Sequence, residues 1–307
     1  MKKLYRFLVL GNKNLSMSLA SSFIDCGMVC VAAVSAHPKF RPDGAIGLSD
    51  WAKSQSVEHF EIADVNGAEF KSLCERAQPD TLLVEWHQIL KTPTLDLFPL
   101  GAIGTHPSQI PYGRGRHPLH WQIVMGYPEI TLSFFKITSE VDRGPLLLQR
   151  QIQCDLSETI HSLEEKVSLV GYECGLVLAN QLLKFGSFKE NLKPTSVGTT
   201  WRKRVVADVE IDCRMSRNSI IRLVKSVLPP YLGAKLVTRH ESLTVVEAVS
   251  CNFSDWQFNQ IGSVLDFREK SIVLRVDDGP IELFFKEPLS LELRACNYLF
   301  PPSHYSD

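Results

Sequence analysis

Short apolar runs alternate with amphipathic stretches along the first half of the chain. The apolar runs are of strand length, and the stretches between them repeat their apolar residues at helical spacing. Strands are predicted at residues 5–10, 28–34 and 81–85, and helices at residues 16–26 and 70–77. This alternation favours a Rossmann-like, mostly parallel sheet with helices on both faces.

The pattern changes after a long amphipathic stretch that ends at Gly186. Residues 160–183 keep helical spacing and predict one long helix whose apolar stripe, which includes Val177, packs in the core. A shorter helix is predicted at residues 220–228. Strands then follow at residues 243–247, 264–267, 271–276 and 281–286, with an Asp-Gly hairpin signal between the last two.

This change of pattern predicts two domains. We expect an N-terminal catalytic domain at residues 1–192, a linker at 193–204 and a β-rich C-terminal domain at 205–307. The linker contains a proline, a Gly-Thr-Thr turn and the basic residues Arg202, Lys203 and Arg204. Such a cluster could hold phosphate, but three charges in a neutral chain more often form a solvated face.

Charge and composition exclude several classes of protein. The net charge of −1 gives no broad electrostatic case for nucleic-acid binding, and no apolar run is long enough to span a membrane. The first apolar run is too short for a secretion signal.

The eight cysteines form no C-x-x-C pair, which favours a reducing cytoplasm and predicts no metal site. A G-x-G-x-x-G run is missing after Gly11, so a dinucleotide site is not expected.

Candidate chemistry centres on two residues in separate loops. His106 lies in GTHPS, at or after the end of a predicted strand, and Asp142 lies in EVDRGP, 36 positions later. A histidine and a carboxylate so placed suit proton handling during acyl transfer. Each residue taken alone would more often be a surface or capping residue.

The stretch from about residue 82 to residue 149 resembles the folate-dependent formyltransferases. The resemblance is carried by His106, by Ser108 two positions later, by the loop PYGRG at 111–115 and by the Asp-x-Gly at 142–144. The tail, with PPYLGA at 229–234, resembles the small β-rich, OB-like C-terminal domain of the methionyl-tRNA and sugar formyltransferases. The resemblance implies a modified Rossmann fold carrying that second domain.

The resemblance also implies the reaction. A formyl group would move from N10-formyltetrahydrofolate to an amine, with His106 donating to the developing oxyanion or shuttling a proton. Asp142 would orient the imidazole or take the amine proton. The family has an asparagine where this chain has Gly104, and losing such a donor costs roughly 2.7–4 kcal/mol of transition-state stabilisation. Ser108, Thr105 or a backbone N–H could replace it.

Binding residues follow from the same resemblance. The pteridine of the folate would lie against backbone groups and apolar walls of two loops. The predicted folate-binding residues are Gln88, Ile89, Leu90, Ile137 and Val141. The predicted acceptor-binding residues are Ser108, Tyr112, Arg114 and Arg116, the two arginines facing a nucleotide phosphate or the glutamate tail of folate.

The acceptor predicted from the sequence is a small molecule. Residues 35–56, which correspond to a basic insertion in the methionyl-tRNA formyltransferases, contain only three basic residues here. We therefore expect a nucleotide-linked amino sugar, which would place the protein in polysaccharide biosynthesis. Methionyl-tRNA, a non-catalytic folate or nucleotide-sugar binder, and a formyltetrahydrofolate hydrolase remain alternatives, although hydrolases carry an N-terminal regulatory domain. The oligomeric state is open, with a homodimer as one alternative.

Overall fold

The computed structural model describes residues 3–155, 157–191, 197–239, 241–294, 296–299 and 301. The strands are β1 (Arg6–Leu10), β2 (Val29–Ala36), β3 (His59–Ile62), β4 (Thr81–Val84), β5 (Ala102–His106), β6 (Arg114–Gly115), β7 (Glu129–Lys136), β8 (Leu146–Gln153), β9 (Thr200–Trp201), β10 (Ala234–Val237), β11 (Ser242–Ser250), β12 (Val264–Phe267), β13 (Ser271–Val276) and β14 (Gly279–Phe285). The α-helices are α1 (Asn14–Asp25), α2 (Ser49–Ser54), α3 (Ala68–Ala77), α4 (Thr92–Leu95), α5 (Pro118–Met125), α6 (Ile160–Phe185), α7 (Arg217–Ser226) and α8 (Leu291–Arg294). Short 3-10 helices lie at Pro38–Phe40, Val206–Val209 and Trp256–Phe258.

A seven-stranded sheet in the order β3-β2-β1-β4-β5-β7-β8 organises the first part of the chain. The first five strands in this order are parallel, whereas β7 runs antiparallel to both β5 and β8. The predicted mostly parallel sheet with flanking helices is therefore confirmed. Nearly every residue of β1 and every residue of β4 is buried, as expected for strands covered on both faces.

Helix α6 packs closely against α1 because two of its residues are glycines. A β-carbon at Gly171 would lie 2.3 Å from Leu15, and one at Gly175 would lie 2.0 Å from the Ser22 hydroxyl. The predicted core stripe of α6 is buried at Leu163, Val167 and Leu178, but Val177 is exposed. That part of the prediction was wrong because Val177 lies on the solvent side of the helix.

The second sheet is antiparallel, in the order β10-β11-β14-β13-β12. Helix α7 begins at a serine cap, the hydroxyl of Ser216 accepting from the Ser219 N–H, and buries Ile220, Leu223 and Val224. These side chains join Leu274, Leu283 and neighbouring strand residues in one apolar cluster. A β-rich C-terminal region was predicted and is confirmed.

The chain divides into two compact units. One contains residues 1–118, 129–154 and 162–202, and the other contains residues 119–128, 155–161 and 203–307. Of the predicted linker, residues 193–196 lie outside the described part of the chain, and residues 197–202 belong to the first unit. Within the described residues, no helix is both long enough and apolar enough to cross a bilayer.

Candidate active site

His106 is the last residue of β5 and lies at the carboxyl edge of the parallel strands. In open α/β sheets this edge is where ligands bind. The side chain is buried, and its Nε2 lies 2.8 Å from the Gly113 carbonyl oxygen. Since that oxygen can only accept, the Nε2 proton is donated to it. Nδ1 faces Oδ2 of Asp142 at 3.8 Å, close enough for ion pairing but too long for a hydrogen bond.

Asp142 lies in the loop between β7 and β8, in a left-handed backbone conformation with φ of 51°. Its Oδ2 accepts the Gly115 N–H at 2.9 Å, and its backbone carbonyl accepts Nε of Arg114 at 3.0 Å. A β-carbon at Gly144 would lie 1.5 Å from the Lys136 carbonyl, so only glycine fits there. The loop thus fixes the carboxylate beside the imidazole, and the predicted pairing of His106 with Asp142 is present in the structure.

The loop at 111–115 is held from outside by residues 198–201. The Gly113 N–H donates to Oγ1 of Thr199 at 2.9 Å, and β6 pairs in parallel with β9. A β-carbon at Gly113 would lie 2.6 Å from the Trp201 ring, and one at Gly198 would lie 2.1 Å from the Pro111 carbonyl. This contact positions the carbonyl that accepts from His106, and no sequence pattern had indicated it.

The four predicted acceptor-binding residues differ in accessibility. Ser108 is buried and its hydroxyl donates to the Tyr112 carbonyl at 2.9 Å. Tyr112 and Arg116 are exposed. Arg114 is buried against the Asp142 loop, and this burial, together with the nearby charge of Arg143, lowers its pKa. The site therefore presents Tyr112 and Arg116 to a ligand more openly than Ser108 and Arg114.

Of the predicted folate-binding residues, Gln88, Ile89 and Leu90 follow β4 at the carboxyl edge, whereas the Ile137 N–H donates to the carbonyl of Ala102 at the start of β5. Ile89 and Val141 are exposed, and Leu90 is buried in the core beside the half-buried Ile137. The Gln88 amide spans the loop, since its Nε2 donates to the Ala63 carbonyl at 2.8 Å and its Oε1 accepts the Val65 N–H at 3.2 Å. Gln88 therefore supports the loop, while Ile89 and Val141 offer apolar surface.

In the structure, the space beside Gly104 is occupied by the side chains of Phe135 and Ile137. A β-carbon built on Gly104 would lie 2.9 Å from both Cζ of Phe135 and Cγ1 of Ile137. The position of a longer side chain is therefore occupied by apolar atoms. Thr105, an alternative donor by prediction, lines a narrow gap with Leu15 and other α1 residues on the other face of the sheet.

Two residues of functional interest, Glu85 and His87, were missed by the sequence analysis. Glu85 follows β4, and its Oε2 accepts the Ser16 hydroxyl at 2.8 Å at the first turn of α1. Burial raises the pKa of Glu85, although Lys13 and Ser16 lower it. His87 packs its ring against Trp86, with centroids 4.9 Å apart. The one signal available was their position directly after a buried strand. Among the described residues, no cluster could hold a metal ion.

The protein has an α/β fold with an imidazole and a carboxylate paired at the carboxyl edge of its parallel strands, an arrangement suited to proton handling in group transfer. Residues 12–178 match the family described as formyl transferase, which is more than half of the chain. The chain belongs to this family and is a formyl-transferring enzyme. The family uses formyl-tetrahydrofolate as its formyl donor.

Sequence relatives include methionyl-tRNA formyltransferases. The protein of Ehrlichia chaffeensis is 27% identical over 189 residues, which are 61% of this chain and 60% of that protein. The protein of Ruminiclostridium cellulolyticum is 23% identical over 300 residues, or 94% of this chain and 95% of that protein.

Solved structures with the same fold include other formyltransferases. WlaRD, a sugar 3N-formyl transferase solved with dTDP and 5-N-formyl-THF, has a TM-score of 0.62 at 13% identity and covers 94% of this chain and 100% of its own. HypX from Aquifex aeolicus in complex with tetrahydrofolic acid has a TM-score of 0.64 at 17% identity. That match covers 92% of this chain and 44% of HypX. At these identities the structural matches establish the fold alone.

Proposed function

We propose that this enzyme transfers the formyl group of N10-formyltetrahydrofolate to the amine of a nucleotide-linked amino sugar. The observation that carries the proposal is the buried His106, which faces Asp142 at 3.8 Å at the carboxyl edge of the sheet. A neutral amine attacks the formyl carbon, and its excess proton must then leave. Asp142 is the anionic group placed to take that proton, directly or through His106.

The proposed folate site uses the loops on either side of this pair. Residues 88–90 follow β4, and residues 137–141 precede Asp142. Exposed Ile89 and Val141 would pack on the pteridine, and backbone groups of the two loops would bind its edge. HypX and WlaRD, two structures solved with folates, share this fold.

A small acceptor is supported by charge and by accessibility. A protein with a net charge of −1 is poorly suited to binding the many phosphates of a tRNA. Exposed Arg116 beside exposed Tyr112 could instead bind a diphosphate and a nucleobase or sugar. The N-formyltransferase of Helicobacter canadensis, solved with folinic acid and dTDP-3-aminofucose, has a TM-score of 0.62 and covers 92% of this chain and 99% of its own.

Methionyl-tRNA is the second candidate acceptor. It is favoured by one observation, the match of 94% of this chain to the methionyl-tRNA formyltransferase of Ruminiclostridium cellulolyticum. The residues that bind folate and move the proton would be unchanged, so the two candidates differ only in the acceptor.

The test is formyl transfer by the purified protein, followed by mass spectrometry. A panel of nucleotide-linked amino sugars and methionyl-tRNA are incubated separately with N10-formyltetrahydrofolate. We expect one sugar to gain a formyl mass and methionyl-tRNA to remain unmodified. Formylation of methionyl-tRNA alone would contradict the proposed acceptor, and no transfer to any amine would contradict the proposed activity.

Two variants connect the activity to the site. Asp142→Asn keeps an oxygen that can accept from the Gly115 N–H but removes the charge, so the loop geometry is retained. We expect its kcat to fall by about 10²–10⁴-fold with little change in thermal stability. His106→Asn should fall by a similar factor. Wild-type rates in both variants would exclude this pair from the chemistry.

A further inference from the structure

His87 is a second imidazole at the carboxyl edge of the sheet, and the proton-transfer scheme does not use it. It lies three residues after the end of β4, the strand paired with β5, where Val84 is opposite Gly104. Adjacent strands are separated by about 4.8 Å, so the loop after β4 lies beside the end of β5. His106 is the end of that strand.

Neither ring nitrogen of His87 has a hydrogen-bond partner among the described residues. Nδ1 is buried, whereas Nε2 is not among the buried atoms. An N–H buried without an acceptor costs about 1–3 kcal/mol, so the single proton of a neutral ring is favoured on Nε2. The ring thus carries its N–H on the nitrogen that is not buried.

The ring is also kept neutral. Burial lowers the pKa of His87, and the positive charge of Arg116 lowers it further. A neutral imidazole can donate the hydrogen bond of its N–H to a developing oxyanion without transferring the proton. The charge of Arg116 on this side of the site adds favourable electrostatics for a negative oxygen.

Formyl transfer needs such a donor. When the amine nitrogen forms its bond to the formyl carbon, the C=O electron pair moves to oxygen. The oxyanion then collapses, the bond from carbon to N10 breaks, and N10 takes a proton that the amine released. The transfer involves no oxidation or reduction. A donor fixed at the oxygen lowers the barrier to the first step.

Several other polar side chains of this region already make hydrogen bonds. The Ser108 hydroxyl donates to Tyr112, and Nε2 of His106 donates to Gly113. The Gln88 amide donates to Ala63. Gly104 has no side chain, and Phe135 and Ile137 occupy the space beside it. The Thr105 hydroxyl has no hydrogen-bond partner among the described residues, but it is buried beside α1 on the other face of the sheet.

We propose that Nε2–H of His87 is the hydrogen-bond donor that stabilises the oxyanion formed on the formyl group. The inference rests on the proposed formyl transfer and assigns one further catalytic residue to it. His87 would donate a hydrogen bond throughout and would not transfer its proton.

The test compares steady-state kinetics of three variants with the wild type, using the amine acceptor that the formyl-transfer panel yields. For His87→Ala we expect kcat to fall about 10²–10³-fold, as for loss of one oxyanion donor, with the KM for formyltetrahydrofolate changed less than about threefold. His87→Gln carries an amide N–H and should recover at least about tenfold of that loss. His59→Ala is the matched control, since His59 is also half-buried and also has its pKa lowered by burial, but begins β3 away from this edge.

The outcomes separate this inference from the proposed function. An active wild type with unchanged kcat in His87→Ala would overturn the role of His87 alone. Parallel loss of kcat and of tetrahydrofolate binding in both the Ala and Gln variants, or an equal loss in His59→Ala, would indicate a structural role and also overturn it. Thermal unfolding of each variant identifies misfolding, and an inactive wild type would overturn both proposals.

Discussion

At the scale of single residues, Gly104 shows how one missing side chain is compensated by its neighbours. Phe135 and Ile137 fill the space that a side chain at position 104 would need. Gly104 is therefore part of a packed apolar contact, and the space beside it is not open to a polar side chain. Reintroducing an amide here means overpacking a closed space.

Gly104→Asn should accordingly destabilise the protein without raising its activity. We expect a loss of about 1–3 kcal/mol in the free energy of unfolding, as is usual for overpacking. Adding Phe135→Leu removes the ring atoms that collide with the new side chain, so the double variant should lose less than the sum of the two single changes. Urea denaturation of the four proteins gives this coupling, and strict additivity would contradict the packing argument.

Glu85 gives a prediction about pH. Burial raises the pKa of Glu85 in the folded state, whereas the unfolded chain ionises it near the ordinary value of about 4.3. The folded state therefore holds the proton more tightly, and its stability falls as pH rises through the folded-state pKa.

Glu85→Gln should remove this dependence because the amide stays neutral and can still accept from Ser16. The variant should gain stability relative to the wild type as pH is raised from about 4 to 8. Denaturation curves at both pH values test it. A stability difference that is constant with pH would show that Glu85 titrates normally.

The part of the site that could be predicted consists of residues that belong to short, recognisable sequence motifs. His106, Asp142 and the glycine-rich loop were singled out because they lie at a strand end and in turns and because their spacing resembles that of the folate-dependent formyltransferases. The Trp201 contact and the filling of the space at Gly104 depend on residues distant in sequence, and so does the lowering of the His87 pKa by burial and by Arg116. No period or motif encodes such contacts, so the sequence alone did not predict them.

At the scale of elements, the short pairing of β6 with β9 holds the loop that contacts His106. Thr199→Val removes the hydroxyl that accepts from Gly113 while keeping the shape of the side chain. We expect amide exchange at Gly113 to accelerate about fivefold, since one hydrogen bond is worth about 1 kcal/mol. Thr200→Val is the control and should leave the exchange at Gly113 unchanged. Unaltered exchange in Thr199→Val would mean that the loop at 111–115 does not depend on the Thr199 hydroxyl for its stability.

Elements with a clear period were predicted closely. The predicted strands at 264–267 and 271–276 coincide with β12 and β13, and the predicted helix at 160–183 lies within α6. Short elements such as β6, β9 and β10 were not predicted. Two to four residues carry too little pattern, and their pairing partners decide their conformation.

At the scale of the whole molecule, charge bears on the choice of acceptor. A protein that neutralises several phosphates releases counterions, and its affinity falls steeply with salt. With a net charge of −1, we expect binding of methionyl-tRNA to be weak and to change less than about tenfold between 50 and 200 mM salt. Filter binding across this range is the measurement. A fall of a thousandfold or more would indicate an extended phosphate contact and favour tRNA.

The hydrogen bond from Ser16 to Glu85 has a consequence for how ligands enter. Helix amino ends attract phosphate groups, and in many α/β proteins the first helix of the sheet serves this purpose. Here an internal carboxylate lies at the first turn of α1. The Ser16 hydroxyl at that turn is already donated to Glu85 and is not offered to a phosphate, so inorganic phosphate should be a poor inhibitor.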